Sequence, residues 1–262
     1  MDSREIVILG AGKVGTHLAR HLHFSGHRIK AIWSRTRESA ERLAGEFSAP
    51  ALCDDQDVPS GADFYIMAVP DGVIPSLVQR FRAHEGTWMH TAGSVELKSL
   101  QEAFSSCGVF YPLQTFSADR ALDFKELPLL IEGSSPEITG QIAQLARSLS
   151  SRVEEVDGGQ RRVIHLAAVF ANNFSNHMIL LAERILEENK MDSSLLHPLL
   201  QETFGKIIDL GPEAARTGPA IRGDEATMEK HLEMLKGHPE LEKLYTFVSR
   251  EIGQYDQLQR KT

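Results

Sequence analysis

The chain has 262 residues, 42% of them hydrophobic and 24% charged, and a formal net charge of −8. This balance argues against disorder, and acidity without any Lys/Arg run argues against a nucleic-acid partner. Two cysteines, Cys53 and Cys107, lie far apart without metal spacing, so no disulfide scaffold or metal site is expected and a reducing compartment, the cytoplasm, fits best. In chain order, Ile6–Leu9 reads as a strand, Val14–Ser25 as a helix, Ile29–Trp33 as a strand and Glu38–Phe47 as a helix. A short strand is expected at Leu52, a strong one at Phe64–Val69, and a helix at Val73–Arg82. Thr87–His90, Val109–Tyr111 and Leu127–Ile131 are further strands, followed by a helix at Pro136–Ser150 and a last strand at Val153–Val156. Alternation of this kind predicts a mostly parallel sheet covered by helices.

After Gly158–Gly159 the strands stop. Gln160–Asn189, Ser193–Leu210, Asp224–Leu235 and Pro239–Gln257 read as helices, separated by Gly/Pro turns. The expected organisation is an α/β nucleotide-binding domain over 1–157 and an all-α domain over 158–262. The N-terminal segment MDSREIVILG is charged, then enters a short apolar run, and lacks the long apolar segment and small-residue cleavage site expected of a signal peptide. From Val163 to Ala182 there are 20 residues without Asp, Glu, Lys or Arg, long enough to span a bilayer as a helix. Three Asn, two His and one Ser inside it argue for burial in protein instead.

The strongest motif is VILGAGKVG. Gly10, Gly12 and Gly15 follow a strand and open a helix. Gly10 permits the tight turn, Gly12 lets a pyrophosphate approach the backbone, and Gly15 allows close helix–strand packing. With Ala11, Lys13 and Val14 they form a phosphate cradle at a helix N-terminus. The residue after the second strand selects the cofactor. An NAD site places an acid there for the ribose hydroxyls; this chain has Ser34, Arg35 and Thr36, which suit a 2′-phosphate. NADP is therefore the expected cofactor. It would pass over Ala68, Val69 and Pro70, beyond the end of the fourth strand. Thr91 and Ala92, in the segment HTAGS, leave room for a nicotinamide ring. His90 is either a proton donor that meets substrate or a polar cap of its strand.

VILGAGKVG, WSRT, AVPD and HTAGS in this order resemble the Rossmann domains of the 6-phosphogluconate dehydrogenase-like superfamily. HTAGS, YPLQTFS, RRVIHLAAVFANNFSNHM and TGPAIRGD together resemble, more narrowly, a bacterial family in which a Rossmann-like domain precedes a helical domain of unknown function. The resemblance implies an NADP-dependent oxidoreductase. It also implies a helical domain that supplies substrate contacts and a homodimer interface. The pattern departs from the hydroxyacid dehydrogenases of the superfamily, since no Lys lies between Gln160 and Asn189. The Ser-Gly-Ser-Gly-Pro pattern of pyrroline carboxylate reductases is also absent.

On a wheel of about 100° per residue, His165, Asn172 and Asn176 share one stripe of a helix apolar on most other sides. They either fix packing register or line a substrate cleft. In the second reading His165 is the acid/base, Asn172 orients the substrate and Asn176 supports them; Asn173 and His177 pack structurally. Gln114 would face the same cleft, and Arg222 either pairs with Asp224 or holds an anionic substrate group. Asp224 is expected to cap the helix that follows it. The function expected is hydride transfer between nicotinamide and a small, anionic carbonyl, imine or hydroxy-acid molecule. The alternative is an NADP-binding sensor without turnover. A methyltransferase is disfavoured because SRT stands where that fold usually carries an acid.

Overall fold

The computed structural model describes residues 2–53, 58–82, 84–118 and 120–259. The chain divides into two compact units between Met178 and Ile179. The first unit is built on a sheet of strands β1 (Glu5–Leu9), β2 (Arg28–Trp33), β3 (Ala51–Leu52) and β4 (Phe64–Met67), continued by β5 (Thr87–His90), β6 (Cys107–Pro112), β7 (Leu129–Gly133) and β8 (Val153–Glu155). Their order is β3-β2-β1-β4-β5-β6-β7-β8. Neighbours run parallel except β6 and β7, which are antiparallel. The mostly parallel sheet expected from the alternation is therefore present.

Period-two alternation explains how both faces are covered. Ile6 and Ile8 pack on one side with Leu18 and Leu22 of α1 (Lys13–Phe24), Leu43 of α2 (Arg37–Ala44) and Ile142 of α5 (Pro136–Arg147). Val7 and Leu9 pack on the other with Leu77 and Phe81 of α3 (Ile74–Phe81) and Leu100 of α4 (Lys98–Gln101). The short α4 carries no periodic signal and was not expected from the sequence.

Register places the functional edge. Leu9 pairs with both Trp33 and Met67, and Met67 pairs with His90. The strands therefore end level, and Gly10, Ser34, Ala68 and Thr91 follow them onto one rim. The sheet is laid down to either side of β1 and β4, so the crevice for a ligand opens between these two.

A long helical stretch follows: α6 (Gly158–Ala168), a π-helical segment (Val169–Phe174), then α7 (Ser175–Glu188). It starts in a capping box. Asp157 accepts from the Gln160 backbone at 2.8 Å, and the Gln160 side chain accepts from the Asp157 backbone at 3.0 Å. The sequence predicts one regular helix here, so the π segment is a departure. Its wider i→i+5 ladder rotates every later side chain away from the uniform wheel. Ser175 Oγ, reaching the Phe170 carbonyl five residues back at 3.4 Å, follows that wider turn. The expected burial is also corrected: Leu166 is 58% exposed, Phe170 62% and Phe174 48%. No described helix is long and apolar enough to cross a membrane.

The second unit continues α7 into α8 (His197–Leu210), two single-turn helices α9 (Pro212–Ala215) and α10 (Pro219–Arg222), α11 (Glu225–Met234) and α12 (Pro239–Gln259). The two single turns lie where Gly/Pro punctuation predicts only turns. Asp224 caps α11, accepting from the Thr227 backbone at 3.1 Å and its hydroxyl at 2.8 Å. Those bonds hold its carboxyl below the usual range. Arg222 is exposed at the end of α10.

Candidate functional site

The glycine loop has the shape a dinucleotide requires. Gly10 has φ +115°, a left-handed conformation, and a Cβ there would collide with the Ala68 carbonyl. A Cβ on Gly15 would strike the Gly10 carbonyl, so α1 lies directly against the loop. Gly12 differs: a Cβ there would meet nothing within 4 Å. Its bareness is not needed for packing. It leaves the open side where a pyrophosphate can approach the N-terminus of α1. The residues present therefore fit the cofactor. Gly10 N–H donates to Trp33 O at 2.7 Å and Ala68 N–H to Leu9 O at 2.8 Å, which ties the strand ends together. Ser34 is buried, and its N–H donates to Leu52 O at 3.0 Å. Arg35 and Thr36 are exposed beside it, with the Thr36 hydroxyl on Ser39 at 2.8 Å.

A cleft of about 680 Å³ opens next to the loop. One wall is Lys13 and Val14, at the start of α1. The opposite wall is the helix, contributing His165, Asn172 and Asn173, with Ile164 and the alanines 167, 168 and 171 between them. Tyr111, Gln114 and Thr115 contribute from the end of β6 and the loop beyond. Asn173 thus joins the cleft, against expectation, while Asn176 is not among the lining residues. The π segment accounts for both changes, since it carries Asn172 and Asn173 and turns Asn176 off the stripe.

His165 is held from two sides. Its Nδ1 lies 3.0 Å from the Tyr111 hydroxyl. A Cβ on Gly93 would come within 2.5 Å of the same nitrogen, so backbone closes on that edge of the ring. Burial, reinforced by the nearby Asp71 charge, pushes the Tyr111 phenol above its ordinary value and keeps it protonated at neutral pH. Tyr111 and Gly93 were not singled out from sequence. The available signal was position: Tyr111 is the penultimate residue of β6 and Gly93 lies just past the end of β5, both at the ligand-binding rim.

The segment HTAGS is braced from within. His90 is fully buried, and Nδ1 accepts the Ala92 N–H at 3.1 Å. Burial and then the Arg161 charge push it down to about 3, so it is neutral and its proton sits on Nε2. The structure places His90 inside the sheet, not at the cleft. Thr91 N–H donates to Met67 O at 3.2 Å and Ala92 is buried. Ser94 hydroxyl donates to Asp71 in the loop that carries Val69 and Pro70. Arg161, one turn before His165, is wholly buried; it bonds Glu132 of β7 and donates to Val95 O at 2.6 Å.

Known proteins carry the same combination. Residues 5–89 match the family model described as "NADP oxidoreductase coenzyme F420-dependent", and residues 127–252 match "Domain of unknown function (DUF2520)". A crystal structure of a "putative NADP oxidoreductase" from Bacteroides fragilis is 40% identical, covers 96% of this chain and 98% of that one, and superposes with a TM-score of 0.91. A reductive aminase from Aspergillus terreus, solved with NADPH and ethyl-5-oxohexanoate, has a TM-score of 0.70 over 95% of each chain. At 16% identity that likeness shows the fold alone. Glycerol-3-phosphate dehydrogenase [NAD(P)+] from Nocardia farcinica is 31% identical over 113 residues, which span 36% of this chain and 33% of that one. The match thus covers about a third of this curated relative's length. Coverage at both ends of the chain, joined to the loop that fits a dinucleotide, places the protein in the NADP oxidoreductase family that pairs a Rossmann-like domain with DUF2520.

Proposed function

We propose that the protein is an NADP-dependent oxidoreductase that moves a hydride between the nicotinamide and a small carbonyl, imine or hydroxy-acid molecule bound in the 680 Å³ cleft. The observation that carries this reading is a shared space. One cleft is lined both by Lys13 and Val14 of the nucleotide loop and by His165, Asn172 and Asn173 of the polar helix. Bound NADP supplies or accepts the hydride. Gly10, Ala11, Gly12 and Gly15 hold its pyrophosphate, and Ser34, Arg35 and Thr36 its 2′-phosphate. Ala68, Val69, Pro70, Thr91 and Ala92 flank its path toward the cleft.

The chain supplies position and the proton. Reduction of a C=O or C=N carbon leaves an oxygen or nitrogen that must be protonated, and oxidation reverses this. His165 gives or takes that proton, the role that an imidazole most often fills in such chemistry. Asn172 and Asn173 offer amide donors and acceptors that orient the polar end of the substrate. Gln114 closes the mouth. Lys13 is the one Lys or Arg among the described cleft-lining residues, and it favours an anionic substrate. A homodimer through the helical region would cover Leu166, Phe170 and Phe174, apolar side chains that water otherwise faces.

The test measures NADPH oxidation across keto acids, imino acids and aldehydes, in wild type and in His165→Ala, with NADPH and NADH affinities measured beside it. Turnover with NADPH that falls at least about 100-fold in the variant supports the reading. Tight NADPH binding with no turnover on any substrate favours the sensor, and tighter binding of NADH overturns the assignment of Ser34, Arg35 and Thr36.

A further inference from the structure

We propose that Tyr111 is a positioning residue that captures the Nδ1 proton of His165, leaving Nε2 as the ring nitrogen that exchanges a proton with substrate. The proposal rests on the acid/base role given to His165 above. Two observations converge on it. The Tyr111 hydroxyl lies 3.0 Å from Nδ1. The Gly93 backbone presses on the same edge of the ring, close enough that a Cβ would come within 2.5 Å of Nδ1 and 2.7 Å of Cγ. Substrate has no access to Nδ1 from that side. The ring edges are also set crosswise, with centroids 6.0 Å apart and planes at 70°, so the imidazole is held in one orientation.

Proton balance decides which partner donates. If Tyr111 passed its proton to Nδ1 as Nε2 gave one up, a phenolate would remain. Burial and the Asp71 charge both oppose that anion. In the reducing direction, the imidazolium donates Nδ1–H to the phenolic oxygen and transfers Nε2–H to the oxygen or nitrogen of the reduced substrate. A neutral imidazole remains with its proton on Nδ1, still donated to Tyr111, and solvent recharges Nε2. In the reverse direction that neutral form presents the Nε2 lone pair as base. Tyr111 stays a phenol throughout. The arrangement parallels a hydrolase triad in which the group behind the histidine fixes its tautomer and does not itself change protonation.

The test needs no substrate. The protein labelled with ¹⁵N in histidine is examined by long-range ¹H–¹⁵N correlation at alkaline pH, and the His165 signals are identified by their loss in His165→Gln. The proposal expects the Nδ1–H tautomer in wild type and a shift toward Nε2–H in Tyr111→Phe, with NADPH affinity unchanged within twofold. An Nε2–H tautomer in wild type overturns it, as does a tautomer that Tyr111→Phe does not move. The wild-type spectrum is decisive even if the variant folds poorly. A wrong tautomer with NADPH binding and turnover intact would sink this inference alone, whereas turnover insensitive to His165→Ala would sink the reading beneath it.

Discussion

The ion pair behind the site makes an asymmetric prediction. Arg161 is 0% exposed, and its partner Glu132 is 21% exposed. Arg161 also donates to Val95 O at 2.6 Å, joining the first turn of α6 to the segment that carries Gly93. Glu132→Ala leaves a guanidinium fully out of water without its counter-charge, which costs about 3–5 kcal/mol. Arg161→Met removes the buried cation and fills its volume with an apolar chain. The carboxylate left behind is a fifth exposed and takes up water. Because that carboxylate is not left dry, the cost stays near that of the lost bonds, about 0–2 kcal/mol including the one to Val95. The gap between the variants should be at least about 1 kcal/mol. Urea unfolding without NADP reads it directly, because bound ligand would add stability of its own. The chain's two tryptophans, Trp33 and Trp88, both lie in the sheet, so their fluorescence reports on the unit that holds the pair. Arg161→Met proving as destabilising as Glu132→Ala would refute the reasoning, since the cost would then not come from desolvating the cation.

The glycine loop separates fold from binding. Gly10→Ala should disrupt the loop, since φ +115° and the Ala68 carbonyl both oppose a side chain. Gly12→Ala should fold with an unchanged melting temperature but bind NADPH at least about tenfold more weakly by calorimetry. Equal affinity would mean that no pyrophosphate approaches there. His90 sets an acid limb. Its pKa falls from 6.5 to about 3 on folding, so between those values the unfolded chain binds a proton that the folded chain refuses. This contribution is whole above the unfolded value and is lost as pH drops, by about 1.4 kcal/mol per pH unit. His90→Gln should flatten the slope of stability against pH in that window, and an unaltered slope would show that His90 is not buried neutral. Phe170→Glu should turn a dimer into a monomer in light scattering at micromolar concentration. A wild-type monomer there would remove the dimer outright.

The sheet and the nucleotide loop were legible because each rests on local physics. Period-two alternation marks strands buried on both faces, and only glycine tolerates the contacts made at 10 and 15. The cleft was legible only in part. A wheel turning uniformly put Asn176 beside His165, but the π segment at Val169–Phe174 adds a residue to one turn, and Asn173 takes the place in the cleft. Composition does not announce that insertion: it is a change in which carbonyl each N–H chooses, not in which residues are apolar. The Tyr111–His165 pair is illegible for a different reason. Its members are 54 residues apart, and they meet because β6 lies beside β5 in register and ends on the same rim. The exposed apolar stripe shows the remaining gap. Hydrophobicity in Leu166, Phe170 and Phe174 says that something covers them, and it is silent on whether that cover is the chain itself or a second copy. Local pattern therefore locates a site, whereas the proton path within it depends on ladder register and strand order, which only coordinates supply.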